Sequence, residues 1–533
     1  MRALSYAYGT NHFSQDIVLQ DVLRHFWPQF EAHEADLTRF GSIAGREVYE
    51  TVYHVDHDAP PVLVQHNLDG KRIDRVRLSP SHLALLKALA FINRPPYEGD
   101  SWHHHFAYGY LIGDPGLYCV LTITQQVAYA IHKYAPEFAE WKEALLSGRA
   151  FGATWMTEVQ GGSDLGANQT TARFDGEVWR LTGDKYFASG AGLTDYAIAT
   201  ARPEGAPSGP KGLALFLVPR LRRDGNLNFH VRRLKDKSAT RAVPSGEVEF
   251  ADTEAFLIGD PHLGIYYTLE NLTVSRLANA AGAMGIAQKA LLEVMHRVRH
   301  RRSFGHVLHE HALIRRDLTD FAVRHAGGLA LTFHAIDLFD QAWHERPPYS
   351  PKYHIARLYT HLAKTRTADH AAHLTAMAME LFGGLGFLEE YAIARWHREA
   401  LITPIWEGPS NIQALDFLET LMKLGNVDDV IDRIAAPLAC RSVPGGRVVV
   451  SRVRQEVTAL RALPRPEAEW QSKSVLRTVA DLAQAASLYR LAETAGERYE
   501  KLGQLYLSHF LGGQEYPSWA FYDSSVWSWD LRA

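Results

Sequence analysis

Cysteine is nearly absent from this chain of 533 residues, which contains only Cys119 and Cys440. Two cysteines cannot build a disulfide framework, so the composition favours a reducing compartment and we expect a cytoplasmic protein. The first residues, MRALSYAYGTNHF, have no apolar core of signal-peptide length. Uninterrupted apolar runs of about 18 residues are also missing, so we expect no transmembrane helix.

An overall excess of positive charge is missing as well, since the formal net charge is −4. This balance argues against attraction of the whole chain to nucleic acid. Two local runs are nevertheless basic: residues 439–478 hold eight Lys/Arg against three Asp/Glu, and residues 219–241 hold eight against two. Either run could be a solvated face or a non-specific duplex-binding surface. Specific DNA recognition is not predicted, because helix-turn-helix and finger spacings are not visible.

Motifs for metals and for common nucleotide folds are lacking too. The chain has 27 histidines but neither HExxH nor paired CxxC, and His103–His105 are consecutive. Consecutive residues on a helix point about 100° apart and cannot converge on one ion, so no metal site is predicted. The chain also lacks GxGxxG before a helix and the GxxxxGK[ST] loop, which leaves Rossmann and P-loop binding without support.

Hydrophobic periodicity divides the chain into four consecutive domains. Residues 1–150 are predicted mostly helical, with a Ser-Pro start at 79–92 and a buried helix at 116–134. Short β-rich runs separated by Gly, Asp and Pro predict an all-β domain over 151–265. Long helical segments predict a bundle over 266–436 and a helical extension over 437–533, with helices at 451–463 and 473–511. The fold class is therefore α+β multidomain.

Two β-rich motifs offer groups that suit a planar ligand. In MTEVQGGSD, Gly161 and Gly162 let backbone amides approach a ligand, and Ser163 can donate to a phosphate. In KYFAS, strand alternation places Phe187 and Ser189 on one face, where a ring and a hydroxyl could contact a heterocycle. A hairpin turn and a half-buried strand are equally ordinary explanations for these two motifs.

Three motifs in the predicted bundle are similarly open. Basic residues in RHRRSFG suit either a helix C-terminus or a pyrophosphate. The glycines of FGGLGF indicate either the end of a helix or a backbone that lies close to a ligand or another chain. In IWEGPSNI, Glu407 stands between Trp406 and Gly408-Pro409 with no cation within five residues. It is either a solvated helix start or a catalytic carboxylate.

Taken in order over roughly residues 80–425, these motifs resemble the flavin-dependent acyl-CoA dehydrogenase family. The resemblance implies an N-terminal helical domain, a middle β-barrel or sandwich, a C-terminal helical bundle, and here an extra C-terminal helical domain. The motifs MTEVQGGSD, RRLKDKSATRAVPSGEVEF and IWEGPSNI are most similar to the AidB-like branch, which is associated with the response to DNA alkylation. That branch implies FAD as cofactor, a homotetramer, and possible DNA binding through the added domain.

The resemblance also implies a role for each matching position. Thr157 would contact the flavin pyrimidine edge, Phe187 would lie against the ring, Ser189 would reach its N5 or O4, and Arg301 with its neighbours would hold the adenosine-diphosphate half of an FAD bound mainly by another subunit. The implied cofactor-binding residues are Met156, Thr157, Gly161, Gly162, Ser163, Phe187, Ser189, Arg301, Ser303, Phe304, Gly383, Gly384, Ile405, Trp406, Gly408 and Asn411.

Glu407 falls on the family's catalytic-base position, and Arg276 matches an arginine close to that base. The implied substrate is an acyl-CoA, from which Glu407 would remove the α-proton while the β-hydride leaves to flavin N5. A base with its pKa raised by apolar surroundings suits that step, and apolar residues flank Glu407 in the sequence. An electron-transfer flavoprotein, or another acceptor, would reoxidise the flavin.

Three departures from the family pattern leave alternatives. Ala312 and Glu380 replace glutamines near the FAD adenosine, and Pro409 replaces a threonine near the cofactor. One alternative is a stress-response flavoprotein with weak or no dehydrogenase activity that binds DNA or a long acyl ligand. Another is a flavin oxidase or monooxygenase on the same fold.

Overall fold

The computed structural model of the chain describes residues 5–439 and 443–528. Packing groups them into two compact units. The helical unit comprises the described residues of Met1–Tyr49, Ser101–Pro115 and Arg276–Ala533, and the β unit comprises Glu50–Asp100 and Gly116–Ser275. This grouping follows contacts rather than chain order, and the four consecutive domains remain a prediction.

Helices dominate the first 150 residues, as predicted. They are α1 (Ile17–Phe26), α2 (Phe30–Ile43), α3 (Tyr49–His57), α4 (Pro80–Leu89), α5 (Trp102–Ile112), α6 (Pro115–Tyr134) and α7 (Ala139–Leu146). The Ser79 hydroxyl accepts a hydrogen bond from the His82 amide and Pro80 takes the first turn, which explains the predicted start of α4. α6 is buried nearly all round, as its sequence indicated.

A hairpin within this helical region was not predicted. It consists of β1 (Val62–His66) and β2 (Arg72–Arg77), which pair antiparallel. The Asn67 side chain accepts from the amides of Asp69 and Lys71 and closes the turn. The alternation of RIDRVR and the turn residues NLDG were the available signals.

The β unit contains the remaining long strands. They are β3 (Gly152–Trp155), β4 (Thr171–Phe174), β5 (Trp179–Ser189), β6 (Tyr196–Pro203), β7 (Ala214–Pro219), β8 (His230–Leu234) and β9 (Ser245–Leu257). Their order is β3-β6-β4-β5-β9-β7, with β8 on β9, and the additional β6–β7 pairing closes the sheet into a barrel. α6 packs on this barrel through an apolar core that includes Val127, Ile198 and Leu217.

Long helices build the rest of the chain. They and a short hairpin are α8 (Gly264–His300), β10 (Arg302–Ser303), β11 (His306–Val307), α9 (Ala312–Asp340), α10 (Pro351–Phe382), α11 (Ala392–Ala400), α12 (Ser410–Leu424), α13 (Val427–Ala439), α14 (Gly446–Ala462), α15 (Arg465–Ala495), α16 (Glu497–Tyr506), α17 (Trp519–Tyr522) and α18 (Ser524–Trp527). The predicted helix at 473–511 is wrong as one element, because Gly496, with φ +90°, breaks it between α15 and α16. Among the described residues, no helix is long and apolar enough to cross a membrane.

Candidate active site

The loop after β3 carries the first group of predicted residues in the β unit. Glu158 and Gly161 close it with two backbone hydrogen bonds, of 2.8 and 3.3 Å. A Cβ at Gly161 would lie 2.5 Å from Asn168 Oδ1, so only glycine fits this narrow loop. Gly162 and Ser163 are exposed and Thr157 is half-buried, while Met156 is buried in the core. The loop therefore presents backbone amides and two hydroxyls at its surface.

A buried ion pair that the sequence analysis missed fixes this loop. Lys185 on β5 donates to Glu158 Oε1 at 2.8 Å and to the Thr200 carbonyl at 2.8 Å. The Glu158 carboxylate also accepts from the amides of Gln169 and Thr170 and from the Thr170 hydroxyl. Burial favours the neutral acid, but Lys185 and these donors outweigh it and hold the pKa of Glu158 below its ordinary value. Glu158 lies in the loop after β3 and Lys185 lies on β5, so neither motif alone showed the pair.

Phe187 and Ser189 lie on one face of β5, as the alternation predicted. Between them Ala188 points into the barrel and is fully buried, while Phe187 is 58% exposed. The Ser189 hydroxyl is 3.1 Å from that of Ser245 on β9. An exposed aromatic ring next to a half-buried hydroxyl is a surface that suits a planar polar ligand.

Glu407 lies in a tight turn of the helical unit, just before α12. Its backbone has φ +58°, a left-handed conformation that is uncommon for a residue other than glycine. Its carbonyl oxygen accepts hydrogen bonds from Arg276 Nε and Gln413 Nε2, both at 3.0 Å. Gly408 follows with φ +90°, and a Cβ there would lie 2.8 Å from Gln413 Nε2. The turn is thus held through its main chain in a strained conformation.

The surroundings of this turn are more cationic than the sequence around Glu407 indicated. Arg276 on α8 pairs with Asp416 at 2.8 Å, and Lys364 on α10 donates to the Gly408 carbonyl at 2.8 Å. Burial, reinforced by the charge of Arg276 and opposed by that of Glu407, lowers the pKa of Lys364 to about 7. The resemblance implied an arginine, Arg276, near Glu407, whereas Lys364 was not expected, because it comes from a helix distant in sequence.

Gln413 and His361 are further site residues that the sequence analysis missed. Gln413 is fully buried, donates to the carbonyls of Glu407 and Gly408, and lies 2.9 Å from His361 Nδ1 through its own carbonyl. Burial, together with the nearby charge of Arg276, lowers the pKa of His361 to about 3, so this ring is neutral near pH 7. A neutral Nδ1–H would donate to the Gln413 carbonyl and orient its amide toward the turn. The position of Gln413 one turn into α12 was the available signal.

The residues flanking Glu407 lie near the same turn. Trp406 Nε1 donates to Asn279 Oδ1 on α8, and Ile405 is 61% exposed. Asn411 is exposed at the start of α12, where its side chain accepts from Lys473 at 3.1 Å. Pro409 occupies the N-cap position of α12 and offers no side-chain cap. The helix-start explanation for Glu407 therefore holds as well, since α12 begins three residues later.

Ser303 and Phe304 belong to the short hairpin β10–β11, and Arg301 immediately precedes it. Phe304, at φ +49°, forms the turn with Gly305 and is 94% exposed, and Arg301 is exposed too. Ser303 is half-buried, with its hydroxyl 3.3 Å from His311 Nε2. The hairpin presents a ring and a guanidinium outward rather than into the core of this chain.

Gly383 and Gly384 end α10, and a Cβ at either would meet open space. Arg297 donates to the carbonyls of Leu381 and Phe382 and closes the end of the helix. Gly386 differs, since a Cβ there would lie 2.3 Å from the Met379 carbonyl oxygen. One glycine thus serves packing within the chain, whereas the other two leave backbone accessible. Ala312 and Glu380, the two departures near this region, are exposed.

Most cations of the two basic runs are already paired within the chain. Arg454 pairs with Asp428 and Asp432, and Arg452 pairs with Glu456 and donates to the Leu511 carbonyl. In the run 219–241 the pairs are Arg223–Glu254, Arg232–Asp184, Arg233–Glu247, Lys235–Glu247 and Arg241–Asp56. A solvated, self-neutralised face accounts for most of both runs.

Three family models match the chain in succession. They are the AidB N-terminal domain over 5–150, the acyl-CoA dehydrogenase middle domain over 153–253, and the acyl-CoA dehydrogenase C-terminal domain over 262–422. Among curated proteins, the chain is 31% identical to AidB of Escherichia coli (strain K12), over 70% of this chain and 71% of that protein.

Solved structures share the fold. The Caenorhabditis elegans ACDH-11 complex with C11-CoA has a TM-score of 0.81 at 23% identity, covering 97% of this chain and 94% of that one. An acyl-CoA dehydrogenase complexed with FAD from Bacillus anthracis has a TM-score of 0.69 at 16% identity, covering 84% of this chain and 81% of that one. These likenesses establish the predicted architecture, with helices beyond the bundle.

Proposed function

The chain belongs to the acyl-CoA dehydrogenase family, in its AidB-like branch, and we propose that it is an FAD-dependent oxidoreductase acting on an acyl-CoA with Glu407 as base. The observation that carries the role of Glu407 is its turn. Two donors, Arg276 and Gln413, fix the backbone carbonyl in a left-handed conformation that the chain would not adopt without support. Strained backbone conformations of this kind cluster at active sites.

The residues present fit a flavin nucleotide. In the β unit, Phe187 offers an exposed ring, Ser189 and Thr157 offer hydroxyls, and the loop at Gly161–Ser163 offers amides. In the helical unit, Gly383 and Gly384 leave accessible backbone and Arg301 an exposed guanidinium. FAD, when bound, supplies the two-electron acceptor. Glu407 would take the proton from the carbon next to the thioester carbonyl, and Arg276 would hold the Glu407 turn in place.

The experiment mixes the FAD-loaded protein with a chain-length series of acyl-CoAs without oxygen and follows the loss of flavin absorbance. We expect reduction with at least one chain length, slowed about 10²- to 10⁴-fold in Glu407→Gln, because a general base contributes that much. Glu390→Gln, an exposed glutamate on the same unit, is the matched control and should reduce normally.

Equal reduction rates in Glu407→Gln and the wild type would exclude Glu407 as base. Absence of reduction with every chain length, with FAD still bound, would favour the alternative of a binding flavoprotein that has lost dehydrogenase activity. Oxygen consumption that keeps pace with substrate turnover would instead indicate an oxidase.

We also propose that the protein forms a homo-oligomer, and the family resemblance implies that this oligomer is a tetramer. Phe304 in the β10–β11 turn and Phe387 after α10 are 94% and 83% exposed, and large exposed rings beside candidate cofactor residues suit a contact with another copy. Sedimentation of the FAD-loaded protein, with Phe304→Ser as the test variant, measures this. An electron-transfer flavoprotein as acceptor and a cytoplasmic location are proposed on the resemblance and on the scarcity of cysteine, respectively.

Duplex DNA binding and a role in the alkylation response have weaker support. The candidate arginines in the run 439–478 are Arg447, Arg452 and Arg454. Arg452 and Arg454 pair with acidic residues, and Arg447 is exposed. Neutralised charges release few counterions from DNA, so any binding should be weak and only mildly dependent on salt. DNA binding therefore stays a prediction of the sequence alone.

A further inference from the structure

A pocket in the β unit has no role in the function proposed above. Its volume is about 660 Å³, within the range of roughly 300–1,000 Å³ common for small-molecule sites. Lys71, Arg72 and Arg75 from the β1–β2 hairpin line it together with Arg220, which follows β7. The stacked rings of Trp141 and Tyr196 form another part of the lining, with centroids 4.4 Å apart and planes 12° apart.

The pocket and Thr157, one of the predicted flavin residues, lie at opposite ends of a strand pair in this unit. β3 and β6 run parallel, with Gly152 opposite Tyr196 and Trp155 opposite Ala199. Tyr196 and the neighbouring Asp195 are therefore at one end of this strand pair, and Thr157 is beyond the other end. Five residues of extended chain separate the levels of Gly152 and Thr157, which is about 16 Å.

The charge of the pocket favours an anion. Four cationic side chains face one lining carboxylate, Asp195, whose Oδ1 accepts from both terminal nitrogens of Arg75 at 3.3 Å. A second carboxylate, Asp74, is buried behind the lining and accepts from Arg72 Nε at 2.9 Å. Lys71 forms no ion pair with any residue that the structure describes. Positive charge thus remains after the internal pairs are counted.

Arg220 adds an unsatisfied donor to this charge. Arg220 is only 8% exposed, and its Nη2 donates to the carbonyls of Ile73 and Asp74 at 2.5 and 3.0 Å. Nη1 is buried and has no hydrogen-bond partner among the described residues. A buried guanidinium nitrogen without an acceptor is costly, and an anionic oxygen is the acceptor that relieves it best.

We propose that this pocket binds a phosphate monoester that carries a planar ring, as a mononucleotide does. The guanidinium groups of Arg75 and Arg220 and the ammonium of Lys71 would hold the phosphate, since Arg and Lys both suit phosphate oxygens. The Trp141–Tyr196 stack would contact the ring, because aromatic faces bind bases with little sequence preference. Such a site would let the protein sense a nucleotide independently of its acyl substrate.

The test titrates the full-length, FAD-loaded protein with adenosine 5′-monophosphate, inorganic phosphate and adenosine in a calorimeter. We expect the monophosphate to bind and adenosine not to bind. Arg75→Gln and Lys71→Gln, both at exposed positions, should each weaken the monophosphate about ten- to hundredfold, the worth of a charge-assisted hydrogen bond. Trp141→Leu should weaken the monophosphate while leaving phosphate binding unchanged.

Arg173→Gln is the matched control, an exposed arginine of the same unit on β4 that pairs with Asp252 outside the pocket. It should leave the affinity within about twofold, as expected for a distant surface charge. Failure of the monophosphate to bind would overturn the proposal. So would binding that Arg75→Gln and Lys71→Gln leave unchanged, since the ligand would then occupy another site. Flavin reduction by acyl-CoA in these variants reports on the proposed enzyme separately.

Discussion

Two glutamates of this protein, Glu158 in the β unit and Glu407 in the helical unit, follow the same sequence pattern but are held in opposite ways. Each stands in a short motif next to an aromatic or apolar residue and near a glycine. Glu158 is fixed by its carboxylate, which collects Lys185, two amides and a hydroxyl. The backbone of Glu407 is fixed by its carbonyl oxygen, which accepts hydrogen bonds from Arg276 and Gln413.

This difference matches a structural role for Glu158 and the catalytic role proposed for Glu407. A carboxylate that satisfies a buried lysine and three other donors cannot exchange protons without breaking its surroundings, so Glu158 serves the fold. A turn fixed through the main chain keeps its geometry whichever proton state the side chain adopts. The hydrogen bonds of the Glu158 side chain explain why it anchors the loop, whereas the role proposed for Glu407 rests on the fixed backbone of its turn.

The largest expected effect tests the anchoring role of Glu158. Breaking its buried pair with Lys185→Met leaves an unpaired buried carboxylate and should lower the free energy of unfolding by about 3–5 kcal/mol. The double variant Glu158→Gln/Lys185→Met leaves neither charge behind and should regain most of that loss. Denaturant unfolding of the three proteins measures both values. A single variant as stable as the wild type would show that the pair does not anchor the loop.

The next effect tests the cationic setting of the Glu407 turn through pH. Lys364 has a folded pKa of about 7 against a usual 10.5, so the unfolded chain binds an extra proton between these values. Unfolding free energy therefore rises with pH across that window, and the full penalty remains below pH 7. In Lys364→Met this rise should disappear. The free energy of unfolding at pH 9.5 minus that at pH 6 should therefore be smaller than in the wild type by up to about 3 kcal/mol.

Unfolding curves at several pH values check this prediction, and Lys352→Met, which replaces an exposed lysine on the same helix as Lys364, is the control. An equally steep rise with pH in Lys364→Met and in the wild type would contradict it. The variant also loses the hydrogen bond to the Gly408 carbonyl, but that loss does not vary with pH and leaves the slope unaffected.

A smaller effect tests the strain in the turn itself. Glycine adopts the left-handed conformation of Glu407 readily, whereas alanine does not. We therefore expect Glu407→Gly to be more stable than Glu407→Ala by about 1 kcal/mol, with both inactive in flavin reduction. Thermal unfolding of the two variants measures the gap. If alanine were the more stable of the two, the turn would not be strained.

Much of the fold was predictable because its signals are local. The Ser79-Pro80 start of α4, the apolar periodicity of α6 and the alternation that exposes Phe187 but buries Ala188 each follow from a few adjacent residues. The elements that were missed or wrong, the β1–β2 hairpin and the break at Gly496, have shorter signals that lie within otherwise helical composition. The motif order also sufficed to indicate the family.

The candidate site was predictable only in part, for a physical reason. The glycines at 161 and 408 follow from backbone geometry, which local sequence encodes, whereas Glu407 occupies a left-handed position that such geometry alone would give to glycine. The partners Lys364, Gln413 and Lys185 come from other helices and strands, and no local pattern specifies what a side chain meets after packing. The lowered pKa of Lys364 depends entirely on that packing.

The sequence by itself therefore determined the family, the order of helical and β regions, and the candidate base Glu407 in the IWEGPSNI motif. Only the tertiary structure decided that Lys364 and Gln413 donate to the backbone of the turn that holds this acid, and that Lys185 pairs with Glu158. It alone assembled Arg220, Lys71 and Trp141 around one pocket, from segments up to about 150 residues apart. Local propensities act between neighbours along the chain, whereas charge and burial act between neighbours in space.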